Sequence, residues 1–295
     1  MSVAVLTCTF VFCLGLCVGS FLNVCIYRLP REMSLVWPGS HCPTCNEPVA
    51  WCDNIPVVSW VSLRGLCRRC GVLISPRYLL VEVLTGLVFL WIYAGHRAAS
   101  SGTPLAHWPT LGAYSVLAAA LIVASFVDIE RFVIPDEISI GGMYVGPVLC
   151  AIWPDGIEHD ELLTRWLLHA VGAEGSAHLT GLAASVVGLA IGAAVVFAAG
   201  EFGRALFRKE AMGFGDVKLM GMVGAFVGWQ QVVLAFFIAC MFGAVIGLAR
   251  LIARRDTHIP FGPYLAAGSL AVMLHGETLF RVLRDFPFTV RSWFG

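Results

Sequence analysis

The chain is 295 residues long, 58% hydrophobic and only 13% charged, with a mean hydropathy of +0.82. A soluble domain carries about 25% charged residues, so this composition excludes an ordinary globular protein and points to the bilayer. Its 19 basic and 19 acidic residues cancel, which argues against nucleic acid as a partner.

Val3 to Tyr27 carries no charge and is long enough to span, since a crossing helix needs about 20 apolar residues. No Lys or Arg precedes it, and Arg28 and Arg31 follow it. It therefore reads as an anchor with its N-terminus outside, not as a secretory signal. Further spans are expected at 78–95, 108–127, 138–154, 177–200, 230–249 and 259–276. The apolar stretch 217–229 is short, a half-span or a tilted helix, and counting it gives eight crossings. With this topology the inside segments hold 14 of the 19 basic residues, as orientation by positive charge requires. The external segment 155–176 is instead acidic, with Asp155, Glu158, Asp160, Glu161 and Glu174; its neighbourhood also holds His159, His169 and His178, read as solvated loop residues. Glycines four apart, Gly188 with Gly192 and Gly243 with Gly247, are expected to let helices approach closely. The expected fold is an all-α, polytopic bundle of about eight transmembrane helices. It divides into a first helix (1–28), a cytoplasmic loop (29–77) and a multi-helix membrane domain (78–295).

The loop holds Cys42-Pro-Thr-Cys45 and Cys67-Arg-Arg-Cys70 with 21 residues between the pairs. Two CxxC turns can each offer two thiolates to one ion, the pattern of a closed four-cysteine zinc site, whose role is structural. The reducing cytosol weakens a disulfide reading, and redox or unligated thiols are the remaining alternatives. Cys52 is left over as a spare. Cys8, Cys13, Cys17, Cys150 and Cys240 lie in apolar runs and read as small buried hydrophobes.

Ionisable groups at a membrane are costly, so each acid is a functional candidate until explained. Asp128 closes an apolar run and Asp136 follows Pro135; Asp216 closes Gly213-Phe-Gly-Asp216 ahead of a new apolar run. The topology puts Asp128 and Asp216 on the same face. Peptide hydrolysis by two carboxylates needs one ionised and one protonated group, and a close pair shares one proton. A helix dipole favours charge on Asp216, which starts a helix, over Asp128, which ends one. Gly213 and Gly215 are expected to bend the backbone at Phe214, with Lys218 as a further supporting group. The plainer alternatives are a helix cap for Asp216, a helix start for Asp136, and an interfacial pair with Arg131 for Asp128. Glu82, inside the second span, reads as packed against the nearby Arg77, or less plainly as a contact for a basic substrate segment.

GSFLNVCIYRLP at 19–30, the two CxxC pairs, DNIPVVSWVSLRGLCRRCG at 53–71 and SPRYLLVEVLTG at 75–86 resemble the bacterial type IV prepilin peptidases. So do DIERFVIPDEIS at 128–139, GFGDVKLMGMVGAFVGW at 213–229 and IPFGPYLAAG at 259–268, in one order along the chain. These are leader peptidase/N-methyltransferases with a GxGD-type aspartyl site. The resemblance implies catalytic Asp128 and Asp216, with Asp136 as a supporting group or cap. It implies prepilin or pseudopilin substrates with short basic leaders, and a multi-pass inner-membrane location with the site facing the cytoplasm. It also implies S-adenosylmethionine-dependent methylation of the new N-terminus, although the sequence holds no strand–GxGxxG–helix unit for a nucleoside cofactor. The competing readings are a transporter with aspartate proton relays, a zinc-bearing membrane scaffold without chemistry, and an intramembrane protease that cuts inside a span.

Overall fold

A computed structural model of the chain describes residues 3–99, 108–154, 164, 166–169, 176–208, 212–253 and 260–294, and among them it is helical without a strand. The long helices are α1 (Val3–Arg28), α3 (Arg77–Ala99), α4 (Trp108–Arg131) and α5 (Asp136–Ile152). They continue with α6 (Ala177–Phe207), α7 (Phe214–Val227), α8 (Trp229–Ile252) and α9 (Gly262–Phe294); the five-residue α2 (Val58–Ser62) lies in the loop. A helix stands at each expected span. Five of them, over Val3–Arg31, Arg77–His96, Trp108–Arg131, Ala177–Leu206 and Trp229–Ile252, are long and apolar enough to cross a bilayer. The chain is therefore an all-helical, multi-pass membrane protein. At 1.5 Å per residue the 14-residue α7 is about 21 Å long, well short of the roughly 30 Å hydrocarbon core. α5 carries Pro147 inside it, and α9 departs from helical geometry at His275. The acidic segment read as an external loop lies almost wholly outside the described residues; within reach of it, His178 Nδ1 sits 2.7 Å from the Ala151 carbonyl oxygen.

The chain divides into two compact units, Met1–Ile138 and Ser139–Gly295. In the first, α1 and α3 run antiparallel and touch through glycines. A Cβ at Gly15 would lie 2.7 Å from Gly86 Cα, and one at Gly19 would lie 2.7 Å from Glu82 Cα. Apolar helices gain little by leaving lipid for one another, so such backbone proximity and dispersion contacts hold them together. α4 closes the unit, with Leu22, Cys25 and Ile26 of α1 packed around Val81 of α3 and Ile122, Val123 and Val127 of α4. The end of α4 is sharp. Phe132 takes a left-handed conformation (φ 55°) and its N–H donates to the Asp128 carbonyl at 2.8 Å. The acidic pair Asp136–Glu137 then opens α5, where the helix dipole favours negative charge.

In the second unit α7 is enclosed from Leu219 to Val227. Small residues make this possible: a Cβ at Gly188 would meet the Gly224 carbonyl oxygen at 2.1 Å, and one at Gly192 the Met220 carbonyl oxygen at 2.3 Å. Two buried side chains share one acceptor there, which spares them the cost of an unpaired polar group in lipid. Ser185 Oγ and Cys150 Sγ both donate to the Ala225 carbonyl, at 2.6 and 3.6 Å. Gly243 and Gly247 differ from expectation: Gly243 faces the Phe261 ring, and Gly247 has nothing within 4 Å of a would-be Cβ. Gly224→Ala has no space for its methyl, so we expect it to lower stability by about 1–3 kcal/mol or more, read as a fall in Tm in detergent.

Candidate active site

Asp216 sits in the first turn of α7 and is buried. Its Oδ2 accepts the Gly213 N–H at 3.1 Å, while the Asp216 N–H donates to the Gly213 carbonyl at 3.1 Å. This reciprocal pair satisfies one of the orphan donors of a helix start, so the residue is a cap as well as a candidate acid. Gly213 is extended (φ −78°, ψ 152°), and neither it nor Gly215 has a positive φ. The turn therefore makes no use of glycine's access to the left-handed region. Lys218 Nζ lies 5.2 Å from the centre of the exposed Phe214 ring, a cation–π contact on the same turn.

Asp128 lies in the last turn of α4 and is also buried, in the first unit. Asp136 is the first residue of α5 and is exposed. Both candidate catalytic acids therefore occupy the helix ends the sequence expected, Asp128 at a C-terminus and Asp216 at an N-terminus. Arg131 Nη1 donates to the Pro30 carbonyl at 3.4 Å.

The four cysteines of the loop form one cluster: the Sγ atoms of Cys42, Cys45, Cys67 and Cys70 lie within 4.8 Å of one another. Two matching turns build it. Asn46 N–H donates to the Cys42 carbonyl and Gly71 N–H to the Cys67 carbonyl, both at 2.9 Å. Asn46 (φ 60°) and Gly71 (φ 68°) are left-handed, and these are the two residue types that enter that region most easily. Each turn is flanked by an isolated bridge, His41 to Pro48 and Leu66 to Leu73. Zinc with bonds of about 2.3 Å to a tetrahedron of sulfurs places those sulfurs about 3.8 Å apart, and Cys42 and Cys70 Sγ are 3.8 Å apart. The cluster fits a divalent ion. Backbone N–H groups of Cys45 and Thr44 hold the Cys42 thiol down at about 6. At Cys70 the Val72 amide works to lower the value, but burial and the neighbouring thiols outweigh it and push the group up to about 11. Cys42 is thus prepared to be a thiolate, while the Cys70 thiol holds its proton more tightly. Cys52 stands outside, exposed, with Sγ 3.9 Å from Asp53 Oδ1.

A family model described as "Type IV leader peptidase family" matches residues 115–248, and one described as "Bacterial Peptidase A24 N-terminal domain" matches 13–96. A prepilin leader peptidase/N-methyltransferase of Aeromonas hydrophila is 31% identical over 92% of this chain and 91% of its own length. The chain belongs to this peptidase family. A Klebsiella pneumoniae relative of the same name is 37% identical over 75% of this chain and 86% of its own. A Myxococcus xanthus relative is 37% identical over 83% of this chain, which spans 63% of that protein's length. No solved structure matches the chain. Within this family's two matched segments, the N-terminal one carries the cysteine cluster and the leader-peptidase one carries both Asp128 and Asp216.

Four attachments of the first unit escaped the sequence. Arg28, read only as a topology charge, is buried and donates to the Ser34 carbonyl at 2.7 Å and the Pro38 carbonyl at 2.6 Å, pinning the loop to the end of α1. Arg77 pairs with Glu130 of α4, not with Glu82. Glu82 instead accepts the Val57 N–H at 2.7 Å. Partners 53 and 25 residues apart leave no local period to read, which is why the sequence offered only a nearby arginine for Glu82. Asp53 takes a two-pronged bond from Arg68, at 2.8 and 2.6 Å, and that guanidinium holds its carboxyl below the ordinary value.

Proposed function

We propose that this chain is a prepilin peptidase that cuts the short basic leader from type IV prepilins or type II secretion pseudopilins, and then N-methylates the new N-terminus. The observation that carries this reading is the near end-to-end likeness to proteins named prepilin leader peptidase/N-methyltransferase. Asp128 and Asp216 are its catalytic pair, with Asp136, Gly213, Gly215 and Lys218 in support. In this reading an ionised Asp216, favoured by the start of α7, takes a proton from water as the oxygen attacks the scissile carbonyl. A protonated Asp128 gives its proton to the carbonyl oxygen. Collapse of the tetrahedral species returns that oxygen to a carboxyl group, and the leaving nitrogen departs with a proton from the pair. The two carboxyls exchange one proton throughout and titrate together.

Zinc at Cys42, Cys45, Cys67 and Cys70 supplies a cross-link that folds the loop. S-adenosylmethionine is the proposed methyl donor; the described residues contain no strand–GxGxxG–helix unit, so none is assigned to hold it. The proposed setting is the inner membrane with eight crossings, the loop 29–77 between the first helix (1–28) and the membrane domain (78–295), and the site at the cytoplasmic face, where a basic leader remains. Purified enzyme in liposomes, given a prepilin precursor and the methyl donor, should release a shorter product starting after the leader and carrying an added methyl group. Mass spectrometry that finds the precursor intact would sink the reading.

A further inference from the structure

We infer that Glu82 is a positioning residue, whose carboxylate latches the cysteine loop to α3 and sets that loop for the N-methylating half of the reaction. The inference rests on the function proposed above, and its geometry lies within the first unit. Glu82 is five residues into α3 and buried, where a carboxylate needs a compensating donor. The Val57 N–H is one such donor, at 2.7 Å, the length of a charge-assisted bond, and the Ser20 hydroxyl is a second. α1 presses from behind, since a Cβ at Gly19 would already lie 2.7 Å from Glu82 Cα. The carboxylate has little room to move away from its partner.

Val57 itself is strained. It is β-branched, yet takes φ 62° and ψ −52°, and the next amide, Val58 N–H, donates back to the Pro56 carbonyl at 2.6 Å. This is the rare three-residue turn with positive φ at its centre, and such a conformation lasts only where the surroundings over-determine it. Ser59 helps from within the segment, accepting the Ile55 N–H at 3.1 Å and donating to the Cys52 carbonyl at 2.9 Å. Two further bonds carry the segment to the second cysteine turn: Arg68 to Asp53, and Trp60 Nε1 to the Ile74 carbonyl at 3.3 Å. A continuous chain of contacts therefore runs from α3 through Glu82 and Val57 to the cysteine cluster. The matched segment that holds this chain, 13–96, lacks both catalytic candidates, while the leader-peptidase segment, 115–248, contains both. The relatives' name carries two activities, and Glu82 anchors the matched segment that holds the cysteine cluster and neither candidate peptidase acid.

The test compares wild type, Glu82→Ala and Glu82→Gln in liposomes, following amide exchange over 52–62 together with cleavage and methylation of one precursor. Loss of the acceptor in Glu82→Ala should speed exchange at Val57 by about tenfold or more. It should leave cleavage close to wild type and lower the methylation-to-cleavage ratio by about tenfold. Glu82→Gln keeps an oxygen acceptor and should restore both readouts. Unchanged exchange in Glu82→Ala overturns the latch. Faster exchange with an unchanged ratio, or a proportional loss of both activities, overturns the positioning role. Failure of Glu82→Gln to rescue overturns the hydrogen-bond account. A wild type that cleaves nothing removes the functional reading and the positioning role with it, while the exchange result still judges the latch.

Discussion

Asp216→Asn, and separately Asp128→Asn, should lower precursor cleavage by about 10²- to 10⁴-fold, the range expected when one member of an acid–base pair is lost. The asparagine form is the informative one at position 216. The carboxylate there also caps α7 by accepting the Gly213 N–H, and an asparagine side-chain oxygen can accept the same bond. Alanine removes cap and acid together, and a lost cap alone costs about 0.5–2 kcal/mol of stability. An inactive Asp216→Asn with an unchanged melting temperature therefore separates chemistry from capping. An active one reduces Asp216 to a cap. Asp128 needs the same control, because it is buried in the last turn of α4 beside the packed Val127. Exposed Asp136 is the next candidate if both variants still cleave.

Replacing Cys42 and Cys45 together by serine, or stripping metal with a chelator, should unfold the loop while leaving the long helices in place. The reason is how little else holds it. Between Arg31 and Arg77 the buried residues are Cys42, Ser59 and Gly65, and the regular structure is two isolated bridges and short helical turns. A segment that buries so little apolar surface has little to offset its ordering entropy, whereas a structural zinc site contributes on the order of 10 kcal/mol. Wild type should hold one zinc per chain, and the double variant none. Far-ultraviolet circular dichroism should change little, and proteolysis should concentrate in the loop. A loop that stays protected without metal would show that Arg28, Asp53–Arg68 and Glu82 suffice to order it.

What the sequence could and could not disclose follows from distance along the chain. Apolar runs marked every long helix, because lipid forces backbone groups to pair within the segment. Pro135 and the glycine turn before Asp216 marked the helix ends that carry the acids, and paired CxxC spacing marked the thiol cluster. All of these are signals within about twenty residues. The pairings of Arg77 and Glu82 are not: each found a partner that only folding brings near, 53 and 25 residues away, and Glu82 chose a backbone amide in a turn that the residue type Val57 disguises. Glycine spacing was an uneven guide. Gly188 and Gly192 pack as expected, while the similar pair Gly243 and Gly247 does not, since spacing alone does not say which face meets a neighbour.

The glycine seam between α6 and α7 acts as a depth gauge for the start of α7, where Asp216 lies. Carbonyl oxygens at 2.1 and 2.3 Å from the would-be side chains of Gly188 and Gly192 leave α7 very few axial positions. Met222 of the same helix is seated against Gly142 of α5, where a Cβ would lie 2.3 Å from its sulfur. A short helix lacking the length to float at its own level is thus held at one height by its neighbours. Asp216 lies eight residues from Gly224, about 12 Å along the axis. A methyl group added at that distance would reach the acid as a displacement of its whole helix, with no atom of the Asp216 turn changed.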